Sequence, residues 1–555
     1  MSIKAGLDFG TTFSTISCFY NNKLFSLKLN GTEYIPTCLS ITPNNEVIVG
    51  GPSQVLEASE TPSCYFYDLK RWVGVTSVNY EVVKAKINPM YKTRLSNNKV
   101  YITGINKGFS TEFSVEQLIL HYVNTLVRLF SKTENLKITD LNVSVPADYK
   151  SGQRLFMQAV CSSLGFNLRR IVNEPSAAAI YCVSKYPQYA YFYIYDFGGG
   201  TFDTSLIVRY GKFVTVADTQ GDSFLGGRDI DEAISKFIMD KNALNAPLSA
   251  DMLASIKEET NSTGRSSYNI ISDDGSIINI QFTFDDLVKC VEPFTRRSFS
   301  ILRSLVSRNK TSNGALFLVG GSSVLRPIQN RADGFARNHG LALIIDPDLR
   351  AAVSFGCSML HAQEDSGNMT YIDCNSHPLM DLGLYCHPRI IIRKPMSVPY
   401  PHKIEREVTR FITAALNVYE GSDLFVLNND WLISADVDYS KYAKMGETLV
   451  SVYKYTIDGI LELSMANKTA GKSWVLPNTF ARSEKIVISD LTLTQLSNVD
   501  ELATIVSILS YFDATSNYLI SMFNTPSIFE REVGKISDAK GLYNRLVEQN
   551  RNFSR

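Results

Sequence analysis

One short turn occurs twice in this chain. Near the start, alternating residues lead into Asp8-Phe9-Gly10-Thr11-Thr12 and then into the apolar run Thr15–Tyr20. Nearly two hundred residues later, Tyr191-Phe192-Tyr193-Ile194-Tyr195 leads into Asp196-Phe197-Gly198-Gly199-Gly200-Thr201, followed by Phe202-Asp203 and a second apolar run to Val208. Both segments read as strand, tight polar glycine turn, strand. A design used twice predicts two lobes of related α/β fold.

The residue types in these turns point to a bulky anion. Glycines let the backbone turn sharply and bring N–H groups close to a phosphate, and the threonine hydroxyls add further donors. An Asp at the end of each first strand is useful beside polyphosphate when a cation lies between them. Mg²⁺ suits that place, held through carboxylates, waters and phosphate oxygens. A lone turn of this kind is also an ordinary hairpin; a matching pair is much harder to explain that way.

Other segments fit the same plan. Ala315–Val319 is a buried-strand run ending in Gly320-Gly321-Ser322-Ser323, where a flat ring or ribose can approach the backbone. Before it, apolar spacing predicts a helix from Phe284 to about Ser307. Val143-Ser144-Val145-Pro146 reads as a strand, with a helix from Gly152 through Arg154 to near Gly165. Glu174 precedes the small-residue helix Pro175–Ala179, and Lys70 lies in Tyr67–Trp72. Alone, Lys70 reads as a solvated charge and Glu174 as a helix-start charge favoured by the dipole.

Composition removes several alternatives. Lys+Arg and Asp+Glu balance at 55 each in 555 residues, so charge gives no reason to expect nucleic acid or an anionic membrane as main partner. No run approaches the roughly 18 apolar residues that span a bilayer. Nine cysteines without framework spacing suit free thiols in a reducing cytosol. Cys374, His377, Cys386, His387 and His402 lie near one another in sequence, but adjacent residues on a strand face opposite sides, so they read as strand residues.

Taken in order, LDFGTTFS, YDLKRWVG, VSVPADYKSGQR, IVNEPSAAA, YDFGGGTFDTS, FLGGRDID and LFLVGGSS resemble the seventy-kilodalton heat-shock chaperones over residues 6 to 356. The resemblance implies an actin-like (ribonuclease H-like) two-lobed ATPase domain over 1–360, with ATP or ADP and Mg²⁺ at the bottom of the cleft. It implies a catalytic role for Lys70 beside the γ-phosphate, and for Glu174, Asp196, Thr201 and Asp203 around Mg²⁺ and the attacking water. Asp8 and Asp196 would hold the metal through water. Gly10, Thr11, Thr12 and Phe13 would face the nucleotide from one lobe, and Gly198, Gly199, Gly200, Gly226 and Gly227 from the other. Gly320, Gly321, Ser322 and Asp348 would take the nucleoside side. Pro146 and Arg154 resemble the family's interdomain relay.

Beyond the lobes, Ser376–Leu384, Leu416–Gly421 and Tyr455–Leu463 resemble the family's peptide-binding β-sandwich. The expected organisation is a linker over 361–375, the sandwich over 376–487 and a short helical, lid-like segment over 488–555. Three departures stand out. The adenine-gripping helix has become Ser255–Gly264; the arginine after the Gly-Gly-Ser turn is replaced at Val324, with Arg326 displaced by two; and the interdomain linker, Met369–Asp373, is more polar than usual.

An intact phosphate site with a diverged second half is similar to the homologues that plant closteroviruses encode, the crinivirus branch above all. That resemblance implies ATP hydrolysis, polypeptide clients, and coat and minor coat proteins of the virion tail as partners. It implies a place in the host cytoplasm, the virion and plasmodesmata during cell-to-cell movement. A cellular chaperone of the same family and a structural virion subunit that binds ATP without turnover remain the alternatives. A sugar kinase of the actin-like superfamily gives no reason for the β-rich part after residue 376.

Overall fold

The computed structural model describes residues 2–476 except 22, 30, 51–61, 78, 136, 165, 245–247, 272–276, 310, 312, 368, 383–387, 410–412 and 424–428. The expected helical segment 488–555, with Cys386 and His387, lies outside the described residues. Two compact units emerge. One comprises Met1–Tyr149, Gln153–Ser376 and Ile457–Gly459; the other comprises Lys150–Gly152, His377–Thr456 and the described residues from Ile460 on.

The first unit contains two large sheets with the same strand order. In one, Asn167–Asn173, Lys137–Val145 and Ser2–Asp8 run parallel, and Phe13–Tyr20 and Lys23–Ser26 continue it as an antiparallel meander. In the other, Ala342–Ile345, Gly314–Val319 and Tyr191–Phe197 run parallel, followed by the antiparallel Phe202–Tyr210 and Phe213–Asp222. Thr370–Cys374 adds a parallel strand beside Phe213–Asp222. The segment expected as linker is therefore built into the end of the helix Ala352–Ser366 and into this strand. Its pattern explains the placement: Tyr371, Asp373 and Cys374 are buried.

The second lobe shows why unbroken apolar runs are needed here. Successive side chains on a strand point to opposite faces, so a strand covered on both sides is apolar throughout. Tyr193, Tyr195 and Phe197 enter one core with Leu316, Leu318 and Phe299. Phe192 and Ile194 enter the other with Ala315, Phe317 and Ile180. The helix Phe284–Arg308 covers the first core and starts at a capping box, in which Thr283 Oγ1 accepts from Asp286 N and the Asp286 carboxylate accepts from Thr283 N. Glu174–Lys185 lies in the second core and packs against Ala352–Ser366 through small residues.

The second unit has two antiparallel four-stranded sheets. One runs Pro388–Ile392, Leu379–Leu382, Thr413–Glu420, Asp430–Asp438; the other runs Tyr400–Glu407, Thr448–Tyr455, Leu461–Asn467, Lys472–Leu476. Leu379, Val418 and Leu432 of one share a core with Tyr453, Leu463 and Met465 of the other. The eight described cysteines are free and buried, and no described helix is long and apolar enough to cross a membrane.

Candidate functional site

The two glycine turns meet. A Cβ on Gly199 would lie 2.2 Å from Thr12 Oγ1, so only a bare backbone lets the second turn sit on the first. The second turn is pinned from its own lobe. Gly227 N donates to Gly198 O at 3.0 Å, Arg228 N to Gly199 O at 2.9 Å, and Ser322 Oγ to Gly198 O at 2.8 Å. The Gly320 turn closes on the same place: its φ is +87°, and a Cβ there would meet Asp196 Oδ1 at 2.5 Å.

Around this junction lies a cavity of about 490 Å³. Asp8, Gly10, Thr11, Thr12 and Phe13 line it from the first hairpin; Asp196, Gly198, Gly199 and Thr201 line it from the second. Lys70, Glu174, Gly227, Gly320, Gly321 and Ser322 complete the part expected from sequence. Gly200 packs on Thr11, and Gly226 on Gly199 and Gly200, directly behind that wall. Asp203 pairs with Asp196 across the hairpin and is 1% exposed.

Three expected residues sit elsewhere. Asp348 accepts from the Tyr181 hydroxyl at 3.0 Å, pairs with Lys185, and does not line the cavity. Pro146 holds the turn into the helix Ser151–Ser162, its carbonyl accepting from Tyr149 N at 3.1 Å. Arg154, 5% exposed, donates to Tyr149 O at 2.9 Å, to Asn173 Oδ1, and to Asp458 O at 3.3 Å. Asn173 in turn donates to Asp373 at 2.9 Å, so buried hydrogen bonds run from Arg154 past Glu174's neighbour to the strand Thr370–Cys374.

Charge in the cavity is unbalanced. Lys70, in the short 3₁₀ turn Leu69–Trp72, donates from Nζ to Glu174 Oε1. Burial opposes its charge, but Glu174, Asp8 and Asp203 outweigh burial and hold the ammonium pKa above its ordinary value. The carboxyls go the other way. Burial pushes Glu174 up to about 7, against the pull of Lys70. It also raises Asp8, which accepts from Ser144 Oγ at 2.8 Å. Asp196 and Asp203 are driven well above the usual carboxylate range, by burial first and by neighbouring carboxyls second.

Three buried carboxyls and the half-buried Asp8 around one ammonium fit an added cation. Thr12 Oγ1 and Asp203 Oδ1 are buried without a hydrogen-bond partner among the described residues, which also fits a polar occupant. Among those residues no three His, Cys, Asp or Glu side chains converge as direct metal ligands.

Several lining residues had no motif to announce them. Tyr34 and Arg350 reach the cavity only through the tertiary fold, and Asp231, the last residue of the FLGGRDID segment, lines it with no role there expected from sequence. Lys257, Glu258, Asn261 and Ser262, from the diverged helix, line it as well, with Val324 opposite.

Two sheets of one strand order, each with its own helices and meeting at paired glycine turns, define an actin-like two-lobed ATPase fold. The chain belongs to the Hsp70 family: the family model described as Hsp70 protein matches residues 4–480. It is 50% identical over 550 residues to the "Movement protein Hsp70h" of Lettuce infectious yellows virus, covering 99% of each chain. The proteins of the same name from Beet yellows virus and Grapevine leafroll-associated virus 3 are 29% identical over 434 residues and 27% identical over 492. Those matches cover 75% and 86% of this chain, and 72% and 87% of the relatives.

Proposed function

We propose that the first unit binds ATP with Mg²⁺ and hydrolyses it, and that the whole chain acts as a viral chaperone-like movement protein. The observation that carries the ATPase reading is the junction of the two glycine turns beside Lys70 and Glu174. Lys70 is placed to stabilise negative charge that grows on a transferring phosphoryl group, where a buried ammonium is most effective. Glu174, whose carboxyl is raised above its ordinary range by burial, lies beside Lys70 where it can accept a proton from water. Asp203 is suited to orient that water, and Asp8 and Asp196 to hold the metal's hydration shell. Mg²⁺, when bound, supplies charge neutralisation on the phosphate oxygens.

The second unit is assigned as a peptide-binding β-sandwich, on its two facing antiparallel sheets and the family match to residue 480. Polypeptide clients follow from that assignment. The relatives are named movement proteins, which supports a role in movement. Coat and minor coat proteins of a virion tail as partners, and plasmodesmata as the place of action, are what the resemblance to closterovirus homologues implies.

Lys70→Ala tests the chemistry. Single-turnover hydrolysis by the pure protein should fall about a hundredfold, with ATP affinity changed much less. Equal single-turnover rates for the variant and the wild type would remove Lys70 from the mechanism. ATP binding without hydrolysis by the wild type would favour a structural virion subunit instead.

A further inference from the structure

The end of the cavity away from the phosphate turns is lined by the helix Ala250–Thr263, by Val324 and by Tyr34 and Arg350. Most polar groups that the helix offers there are already committed. Lys257 Nζ is paired with Asp231 at 2.5 Å. The Asn261 amide donates to Val324 O at 3.2 Å and accepts from Arg326 N at 2.7 Å, which fastens the helix to the glycine turn. Arg326 is turned away: its guanidinium lies 4.3 Å over the Phe284 ring, and it does not line the cavity.

Arg350 is thus the one arginine among the described lining residues. Its guanidinium stacks on Tyr34, 5.1 Å from the ring centroid. Both side chains are half-buried, and with Val324 they also line a second hollow of about 420 Å³ that adjoins the first. This end of the site is therefore wide. It presents a flat delocalised cation and an aromatic ring, and few free groups that read the edge of a base.

We propose that Arg350, held by Tyr34, is the platform on which the base of a bound purine nucleoside triphosphate stacks. The site then holds a purine base by its face and discriminates weakly between adenine and guanine. A planar guanidinium binds a π face by cation–π attraction and stacking, which every purine offers. Strong discrimination needs hydrogen-bonding groups that an incorrect edge leaves unpaired. Lys257, Asn261 and the Ser262 hydroxyl are occupied, and the remaining lining group, the Glu258 carboxylate, is an acceptor that the amino groups of adenine and guanine can both meet. This inference rests on the nucleotide-site reading above.

Equilibrium binding of MgATP, MgGTP and magnesium tripolyphosphate to the full chain separates the two. Wild type should bind ATP and GTP with similar affinity. Arg350→Ala should weaken both about tenfold, the size of a lost stacking partner, and leave tripolyphosphate unchanged, which also shows that the variant is folded. Arg350→Lys keeps the charge without the planar face, and should resemble Arg350→Ala. The inference is overturned if Arg350→Ala binds both nucleotides normally, if Arg350→Lys restores full affinity, or if tripolyphosphate binding falls in parallel. A strong wild-type preference for ATP would overturn the weak discrimination. Wild type that binds tripolyphosphate but neither nucleotide would sink the platform alone; wild type that binds none of the three would sink the nucleotide site itself.

Discussion

Lys70 holds its charge in a nearly dry place because four acids surround it, and those acids in turn lack enough positive charge. Mutation of either metal-side Asp should expose that shortage. Asp8→Asn and Asp196→Asn should each raise the Mg²⁺ concentration at which hydrolysis reaches half its maximum, because each removes an anchor for the hydrated ion. Superimposable Mg²⁺ titrations for wild type and both variants would discard the assignment. Much of this neighbourhood is legible in sequence because its chemistry is local: each turn carries its Asp, glycines and hydroxyls within a few residues. Lys70 and Glu174 are legible only by resemblance, since 104 residues separate them and nothing in either segment names the other. Arg350 and Tyr34 are not legible at all. Asp348, two residues from Arg350, is expected by resemblance on the nucleoside side yet serves Tyr181 and Lys185. The displaced Arg326 shows the same limit, because Phe284 and Asn261 decide where its side chain goes.

At the scale of elements, backbone approach sets what the fold tolerates. Gly356 lies in the helix Ala352–Ser366 against Glu174–Lys185, and a Cβ there would be 1.6 Å from Ala177 O. Gly356→Ala should therefore cost about 3 kcal/mol, since a backbone carbonyl cannot step aside. Gly334 lies exposed in the helix Arg326–Asn338, with nothing within 4 Å of the added methyl. Gly334→Ala should stabilise by about 0.5–1 kcal/mol through helix propensity and a less mobile unfolded chain. Urea unfolding of the two variants beside wild type checks both signs, and like effects at the two sites would refute the packing account. Periodicity foretold the long helix well: it begins at Phe284 as expected and ends at Arg308. The strand Thr370–Cys374 escaped because five residues are too few to show a clear period, and only pairing with Phe213, Val214 and Thr215 gives it a place.

For the whole molecule, the division into units sets the expectation for dissection. A fragment 1–376 should unfold cooperatively and bind MgATP. A fragment 1–360 lacks the strand that pairs with Phe213–Asp222, and should be measurably less stable. The complementary fragment 376–555 should carry the affinity for virions or minor coat proteins. Association of 1–376 with virions as tightly as the full chain, and none by 376–555, would reverse that division. The first unit also contains a single tryptophan, Trp72, which closes the 3₁₀ turn that bears Lys70. Its indole is 1% exposed and donates from Nε1 to the Tyr91 hydroxyl at 2.8 Å. Emission from the isolated first unit therefore originates two residues from the proposed catalytic ammonium, in a dry aromatic nest. Any movement of that turn as the lobes close would change the colour or quantum yield of one identifiable fluorophore, without an added label.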